Sequence, residues 1–441
     1  MRLAEVFSRC DALAPLLDAA CATDDARAFA DGVRSMPGNA ALARAVRAAA
    51  DDFAARAGIE SPAFEGDEPM AFAGQQPYVD YYPAVPAKLD ALAACGGASF
   101  YAFADYAPLG SDPWMARTAL PCVAAADGVL RMAFQRSLRA HAGRDLRFVP
   151  PPDAAVLASV AETLKRTITE AARHAAFAKG EAYARLRELL AGYDDARRRA
   201  RSLGEFNAFH SARLFRRLGF AQPFVSMSDF LGRDDVLPSI AATLAHFIRE
   251  HALVVDAVRE AMAYDDRGEL HFTAKEPGHV PLAVAGRDDG VRRPVRLEVR
   301  GGEHTLVAGD ETFCAGRADA AALAEFLRAL TGRWSLDIFA PLFLFRLGVA
   351  GIVNGRGSIR YSLVLAHVNA RLFGGRHVPN LLCSCAPPPS GPLIDAVCRA
   401  RGELPSALRD YEPTLIDRFL TGDAQTIRDE IRHSWRNGAA A

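Results

Sequence analysis

Four short stretches of this chain carry side chains whose types and spacing suit chemistry on a small polar molecule. The first is Gly74-Gln75-Gln76-Pro77, followed by Tyr78, Tyr81 and Tyr82. Two adjacent amides can orient a substrate through hydrogen bonds, and the tyrosines either pack in the core or line the pocket. The second is Lys88, one of only four lysines (Lys88, Lys165, Lys179, Lys275) in a chain whose other cationic side chains are arginines and histidines. A surviving lysine marks a place that needs a compact ammonium, unless it survives by chance. The third is Asp105, placed to accept a proton, to bind an amine, or simply to cap a turn. The fourth is Asn354-Gly355-Arg356-Gly357-Ser358-Ile359-Arg360-Tyr361. Its two glycines let backbone approach a ligand, and a helix beginning there offers free N–H groups and a positive dipole end. Arg356 and Arg360 add charge suited to phosphate or carboxylate; the plainer reading is a helix-entry turn with exposed arginines.

Composition limits the partners such residues can serve. The chain has 441 residues, half of them hydrophobic, and a formal charge of -1, so no bulk field draws it to nucleic acid or an anionic membrane. The longest apolar run, 338–353, is broken by Arg346 and falls short of the ~20 residues a spanning helix needs. With no apolar stretch of signal-peptide length at the start, the expected setting is the cytoplasm. The eight cysteines show no CxxC pair, and Cys383-Ser384-Cys385 has no second pair or histidine cluster at zinc spacing. They are expected to be reduced thiols, and no metal is expected. Walker A, full dinucleotide, HExxH and GxSxG sequences are all missing.

The elements that must position these residues read as α/β. Residues 1–60 have helical spacing, with Pro37-Gly38-Asn39 between two runs. Met70–Ala73 and Ser99–Ala104 read as buried strands joined by a helix over 84–94, a βαβ unit. Gln75, Gln76 and Asp105 then lie beyond carboxyl ends of strands, where open parallel sheets hold ligands. The proline-free stretch 153–222 predicts long helices projecting from the core. Its Arg197–Arg201 run reads as a solvated face, with a phosphate patch as the sharper alternative. Residues 269–273, 281–284, 295–299 and 304–307 read as strands of a small antiparallel subdomain. A helix follows over 319–331, then a buried apolar segment over 336–353 and a helix through Leu372. Residues 387–392 are proline-rich. The division expected is 1–66 N-terminal helical segment, 67–152 first part of the core, 153–222 helical arm, 223–335 remaining core and β-rich subdomain, and 336–441 core completion.

Several of these motifs resemble the bacillithiol ligase family and related uncharacterised bacterial proteins. Ala73-Gly74-Gln75-Gln76-Pro77, Pro83 and Lys88 resemble the family's TGQQ-type strand, loop and helix. The strand ending in Asp105 resembles one that ends in an acidic cluster, although Tyr106 and Ala107 stand where the ligases have His and Asp. Phe206-Asn207-Ala208 with Arg213-Leu214 resembles the re-entry into the core. Asn354–Tyr361 resembles a glycine-rich loop, with Asn354 and Arg360 where the relatives have His and Lys. The resemblance runs in order over roughly 70–375. It implies a Rossmann-like parallel-sheet core with a helical, coiled-coil-like insertion, connecting subdomains and often a homodimer. It also implies a ligase that adds cysteine to an amino-sugar conjugate, with ATP or ADP as the nucleotide. On that reading Lys88, Asp105 and Gln76 are catalytic, and Gly74, Gln75, Tyr78, Asn354, Gly355, Arg356, Gly357, Ser358, Arg360 and Tyr361 bind substrate or nucleotide. The altered Asp105-Tyr106-Ala107 segment leaves room for a non-catalytic accessory protein on the same fold. An adenylating or nucleotidyl-transfer enzyme is a third reading.

Overall fold

The structure, a computed structural model, describes all residues except 1, 9, 64–65, 176, 301–302, 317, 375–377, 384, 386–390, 410 and 439–441. Most of the proline-rich stretch 387–392, and Ser384 between the paired cysteines, lie outside the described residues.

Six parallel strands form the central sheet: β1 (Ala22–Thr23), β2 (Ala71–Gln75), β3 (Ser99–Phe103), β4 (Phe224–Ser226), β5 (Gly351–Asn354) and β6 (Asn380–Leu382). Their spatial order is β1-β6-β5-β2-β3-β4. After the short edge strand β1, the chain lays β2 in the middle of the sheet, builds outward through β3 to β4, and returns to build the other way from β5 to β6. Ala71, Phe72 and Ala73 of β2 pair with Gly351, Ile352 and Val353 of β5. Strands from opposite halves of the sequence thus lie side by side, and the direction of winding reverses between them.

Side chains alternate along these strands and both faces are buried, as a covered parallel sheet requires. Phe72, Phe100, Ala102, Val225 and Ile352 enter one apolar cluster with the N-terminal helices and the helices Leu237–Arg249 and His251–Met262. Ala71, Ala73, Tyr101, Phe103, Phe224 and Val353 enter the other. There, Phe103 stacks on Phe215 at 6.5 Å, and Phe224 lies tilted against both at 5.8 and 6.0 Å. Helix α1 (Ala84–Ala94) crosses from β2 to β3. Helix α5 (Arg356–Phe373) crosses from β5 to β6 and stops at Gly374, whose positive φ suits a left-handed cap.

Between β3 and β4 the chain makes a two-stranded hairpin (Arg117–Pro121 with Val129–Ala133) that the sequence reading missed. Three helices follow: α2 (Ala154–Ala171), α3 (Lys179–Arg199) and α4 (Leu203–Arg217). They do not stand out as a projecting arm. Their apolar stripes, including Leu164, Ile168, Leu186, Leu189 and Phe206, join the same cluster as Phe103. Aromatic side chains on α4 need a large apolar partner surface, and the sheet supplies it. In the arginine run, Arg197 and Arg198 pair with Asp194, and Arg199 with Asp195, so the run is partly paired within its own helix.

The β-rich subdomain is one antiparallel sheet of His279–Ala285, Arg292–Arg300, Glu303–Ala308, Glu311–Gly316 and Trp334–Leu336. Two expectations change here. Residues 269–273 are not a strand, and the apolar segment 336–353 divides into a strand end, a helix and a second strand. Pro341 opens a helix, Ala340–Leu347, which Gly348 closes with a left-handed cap before β5 begins. Among the described residues no helix is long and apolar enough to cross a membrane.

A buried ion pair clips this subdomain to the core insertion. Arg147 donates from Nε and Nη2 to Asp145 at 2.9 and 2.6 Å, and from Nη1 to the Trp334 carbonyl at 3.1 Å. The Asp145 side chain is fully buried. Removing the arginine strands a carboxylate in the interior, so Arg147→Ala is expected to cost about 3–5 kcal/mol in urea denaturation. Arg147→Lys, which lacks the fork, is expected to recover little of it. A loss below about 1 kcal/mol for the alanine variant would refute the clip.

Candidate functional site

A cavity of about 410 Å³ opens at the carboxyl ends of β2 and β5, where the winding reverses. The sheet supplies Phe72, Gly74, Ala102, Ile352 and Val353 as its floor, with Gln75, Gln76, Asn354, Ser358 and Tyr361 as polar groups. The facing wall comes from Tyr106–Pro108 and Ser111 after β3, from Arg292, and from Leu336–Ile338 of the β-rich subdomain. Position explains the polarity. Strand interiors bury apolar side chains, whereas the first residues past a strand end face open space and retain amides and hydroxyls.

Gly74 is a packing requirement. A Cβ there would stand 2.8 Å from the Phe72 ring and 3.2 Å from the Ala102 carbonyl. Beyond it, the loop is held from below. Asn207 of α4 donates to the carbonyls of Pro77 and Met115 at 3.0 and 2.7 Å, and the Ser211 hydroxyl lies between the carbonyls of Asn207 and Tyr78 at 2.6 and 3.2 Å. Gln75 then donates from Nε2 to Gln76 Oε1 at 2.8 Å and to the Tyr78 hydroxyl at 3.1 Å. Tyr78 passes its own hydrogen to Asp112 at 2.8 Å, and burial, then that carboxylate, pushes the tyrosine well above its ordinary pKa.

Lys88 sits one layer beneath this wall, only 4 % exposed. Its Nζ donates to Gln75 Oε1 at 3.1 Å and to the Gly74 carbonyl at 3.3 Å, and does not line the cavity. A Cβ on Gly355 would come within 3.2 Å of its Cε, so this glycine gives the lysine its room. Burial lowers its pKa to about 8. The helix position carrying it faces the sheet.

The glycine-rich loop divides. Asn354 donates to Asn380 Oδ1 at 2.9 Å and accepts from Ser362 at 3.1 Å, while Asn380 donates to the carbonyls of Ala20 and Val378. This buried amide network ties β5 to β6 and to the end of the N-terminal helices. The Ser358 hydroxyl accepts the Gly355 N–H at 2.8 Å. Ser358 and Tyr361 face the cavity, and burial raises the Tyr361 pKa to about 12. Gly355, Arg356 and Gly357 form the entry turn of α5 outside the cavity wall, and Arg356 and Gly357 are exposed. Arg360 points away altogether. Its guanidinium donates to the carbonyls of Glu269 and Val6 and lies over Phe7, fastening the N-terminus to the core. Helical phase decides this: Arg360 and Tyr361 are neighbours on α5 and so present different faces.

Asp105 is likewise turned from the cavity. It accepts from Ser228 N at 3.0 Å, Ser228 Oγ at 2.5 Å and Ser226 Oγ at 3.0 Å, capping the short helix Met227–Leu231. Burial, and then the neighbouring Asp229, raise its pKa to about 6. The next residue, Tyr106, faces the cavity instead. Its phenol lies in the fields of Arg292, Asp105, Arg147 and Asp337.

Sequence reasoning did not select Arg292 or Asp337. Arg292 donates to Ser335 Oγ and to the Leu336 carbonyl at 3.1 and 3.0 Å, and its side chain reaches the cavity. Asp337 accepts the Phe339 N–H at 2.9 Å and lies 3.2 Å from His279 Nε2. Alternating strand polarity was their only sequence signal, and it points equally to solvent. Among the described residues no cluster of three or more His, Cys, Asp or Glu is placed to hold a metal.

No protein-family model matches this sequence, and no curated protein does. What the site can do therefore rests on its own chemistry. It combines amide and guanidinium donors, one carboxylate, two phenols and an apolar floor, which suits a small zwitterionic or anionic metabolite.

Three variants at two positions test the structural roles of Lys88 and Asp105. The folded chain releases the Lys88 proton near pH 8, while an unfolded chain holds it to its ordinary value of 10.5. Between those values the unfolded state binds more protons, so stability should rise with pH through that window. Lys88→Met is thus expected to be more stable than wild type by about 1–2 kcal/mol at pH 7, after losing two hydrogen bonds. The difference should shrink toward pH 10, and a less stable variant at pH 7 would contradict the assignment. Asp105→Ala is expected to lose about 2–4 kcal/mol, because a buried N–H is stranded. Asp105→Asn keeps that acceptor and should lose little stability and no ligand affinity, as read by thermal melting and calorimetric titration.

Proposed function

We propose that this protein is a ligase-like enzyme that condenses an amino acid with a small amine- or carboxylate-bearing metabolite at the cavity between β2 and β5. The observation that carries the reading is convergence. Gln75, Gln76, Asn354, Ser358 and Tyr361, drawn from two distant segments, line one half-open cavity at the strand ends where the sheet reverses. Open parallel sheets of this winding, including Rossmann-like ones, bind nucleotides and polar metabolites at that position. The resemblance to bacillithiol ligases adds cysteine as the amino acid and an amino-sugar conjugate as its acceptor, with ATP as the driving nucleotide. A cytoplasmic homodimer belongs to the same reading.

Each residue then has a defined task. Gln76 and Arg292 donate to a carboxylate or phosphoryl oxygen, and the entry turn of α5 offers first-turn N–H groups to an anion at the rim. Asp337 takes the part that sequence reasoning gave to Asp105: it accepts hydrogen bonds from a substrate amine and can receive its proton. Tyr106, standing where the ligases carry a histidine, offers a phenol beside them. In the condensation a C–N bond forms, a carboxylate oxygen leaves on the cleaved phosphate, and the amine proton passes to a base. Enclosure by the β-rich subdomain excludes water, which would otherwise intercept an activated acyl group.

One observation favours the accessory-protein reading instead: the Asp105 carboxylate is fully engaged by Ser226 and Ser228. One experiment decides between them. Purified protein is incubated with ATP, each amino acid and glucosamine-type acceptors, while phosphate and pyrophosphate release is followed. Release that requires both an amino acid and an acceptor, and that falls about 100-fold or more in Asp337→Asn, is the expected result. Pyrophosphate release with the amino acid alone would establish the adenylating reading. Tight ATP or amino-acid binding without turnover would establish the accessory reading.

A further inference from the structure

The hydrogen-bond chain beneath the cavity constrains its ligand more tightly than the wall residues do. We propose that Asp112, Tyr78 and Lys88 are positioning residues that lock the polarity of the Gln75–Gln76 pair, so that Gln76 meets the ligand as an N–H donor. The ligand group seated against it is then a hydrogen-bond acceptor, a carboxylate or phosphate oxygen. The inference rests on the reading above that this cavity is the substrate site.

An amide side chain can be turned over with almost no change of shape, so its polarity must be derived from what surrounds it. Here both ends of the chain are fixed. Asp112 accepts the Trp114 N–H on one oxygen at 3.0 Å and faces Tyr78 with the other at 2.8 Å. A carboxylate only accepts, so the tyrosine hydrogen goes to Asp112 and its oxygen must accept from Gln75. That sets Nε2 of Gln75 against Tyr78, at 3.1 Å. At the other end stands the Lys88 ammonium, which only donates, and this requires the Gln75 oxygen, at 3.1 Å. The two ends demand the same orientation. The second N–H of Gln75 then faces Gln76 at 2.8 Å and draws its Oε1 inward. The Gln76 Nε2 is left toward the cavity, with no partner among the described residues.

Asp112 is the place to break the lock, because its two oxygens have different obligations. An asparagine there must keep Oδ1 on the Trp114 N–H, which puts an NH₂ against Tyr78. The tyrosine would then accept and turn its hydrogen toward Gln75, whose amide would have to reverse. Reversal sets an N–H₂ against the Lys88 ammonium. The two ends would conflict, and the Gln75–Gln76 pair would lose its single orientation. Asp112 lies outside the cavity wall, so nothing in direct contact with the ligand is altered.

Two measurements test this. Neutron diffraction on deuterated wild-type crystals reads the polarity without any ligand, and deuterons on the cavity side of Gln76 are expected. An oxygen there would overturn the proposal. Calorimetric titration with ADP and, separately, with cysteine gives the second reading. Asp112→Asn is expected to weaken whichever probe contacts Gln76 by about tenfold or more, with the melting temperature within about 3 °C of wild type. Tyr78→Phe, which leaves the Lys88 end intact, should weaken it by about threefold or less. A phosphate ligand would show its loss with ADP and a carboxylate ligand with cysteine. Unchanged affinity for both in Asp112→Asn would overturn the proposal. If neither probe binds the wild type, the proposed function fails, and the neutron map still decides the polarity.

Discussion

The structure depends first on the parallel pairing of β2 with β5. These strands come from opposite halves of the chain, and only their pairing reverses the winding of the sheet. Every later feature follows from it. Two crossovers leave in opposite directions at their carboxyl ends, so α1 and α5 cannot close over the same space, and a crevice opens between them. The glutamine loop falls on one side of the crevice and the glycine-rich loop on the other. Small side chains make the close approach tolerable: Ala71, Ala73 and Gly351 sit where the strands meet, and Gly74 and Gly355 leave room for the Phe72 ring and the Lys88 stem.

A crevice flanked by buried backbone must also satisfy its polar groups, and most of the conspicuous side chains do that work. Asn354 and Asn380 hydrogen-bond across β5 and β6, Asn207 holds the loop after Gln76, and Asp105 caps the helix after β4. Lys88 is the costly member, an ammonium held under the floor by two neutral oxygens. Hydrophobic packing alone would place a leucine there. The stability lost to burying that charge is exchanged for a fixed amide orientation above it, the trade expected where local stability rules are broken.

The second wall comes from a different layer. Arg147 and Asp145 fasten the insertion after β3 to the last strand of the antiparallel sheet. That sheet in turn delivers Arg292 and Asp337 to the cavity. The charged groups facing the crevice therefore belong to the subdomain and the neutral ones to the core.

Local pattern was enough for the elements that flank the crevice. Helix α1 lies where its apolar spacing and flanking Pro83 and Gly96-Gly97 put it, and β2 and β3 lie within two residues of their apolar runs. The motifs of the crevice were legible too, because strand–small loop–helix is a local signal. Tertiary structure decided which side chains face the cavity. Arg360 and Asp105 have the right chemistry in the right motif, yet the phase of α5 turns one to the N-terminus and the serines after β4 occupy the other. Arg292 and Asp337 carried no motif, because their role comes from a wall built by distant strands. Short strands such as β4, and the folding-back of α2 and α3, were also beyond local reading. Their stability comes from one apolar cluster shared with Phe103 and Phe215, and no window of sequence contains it.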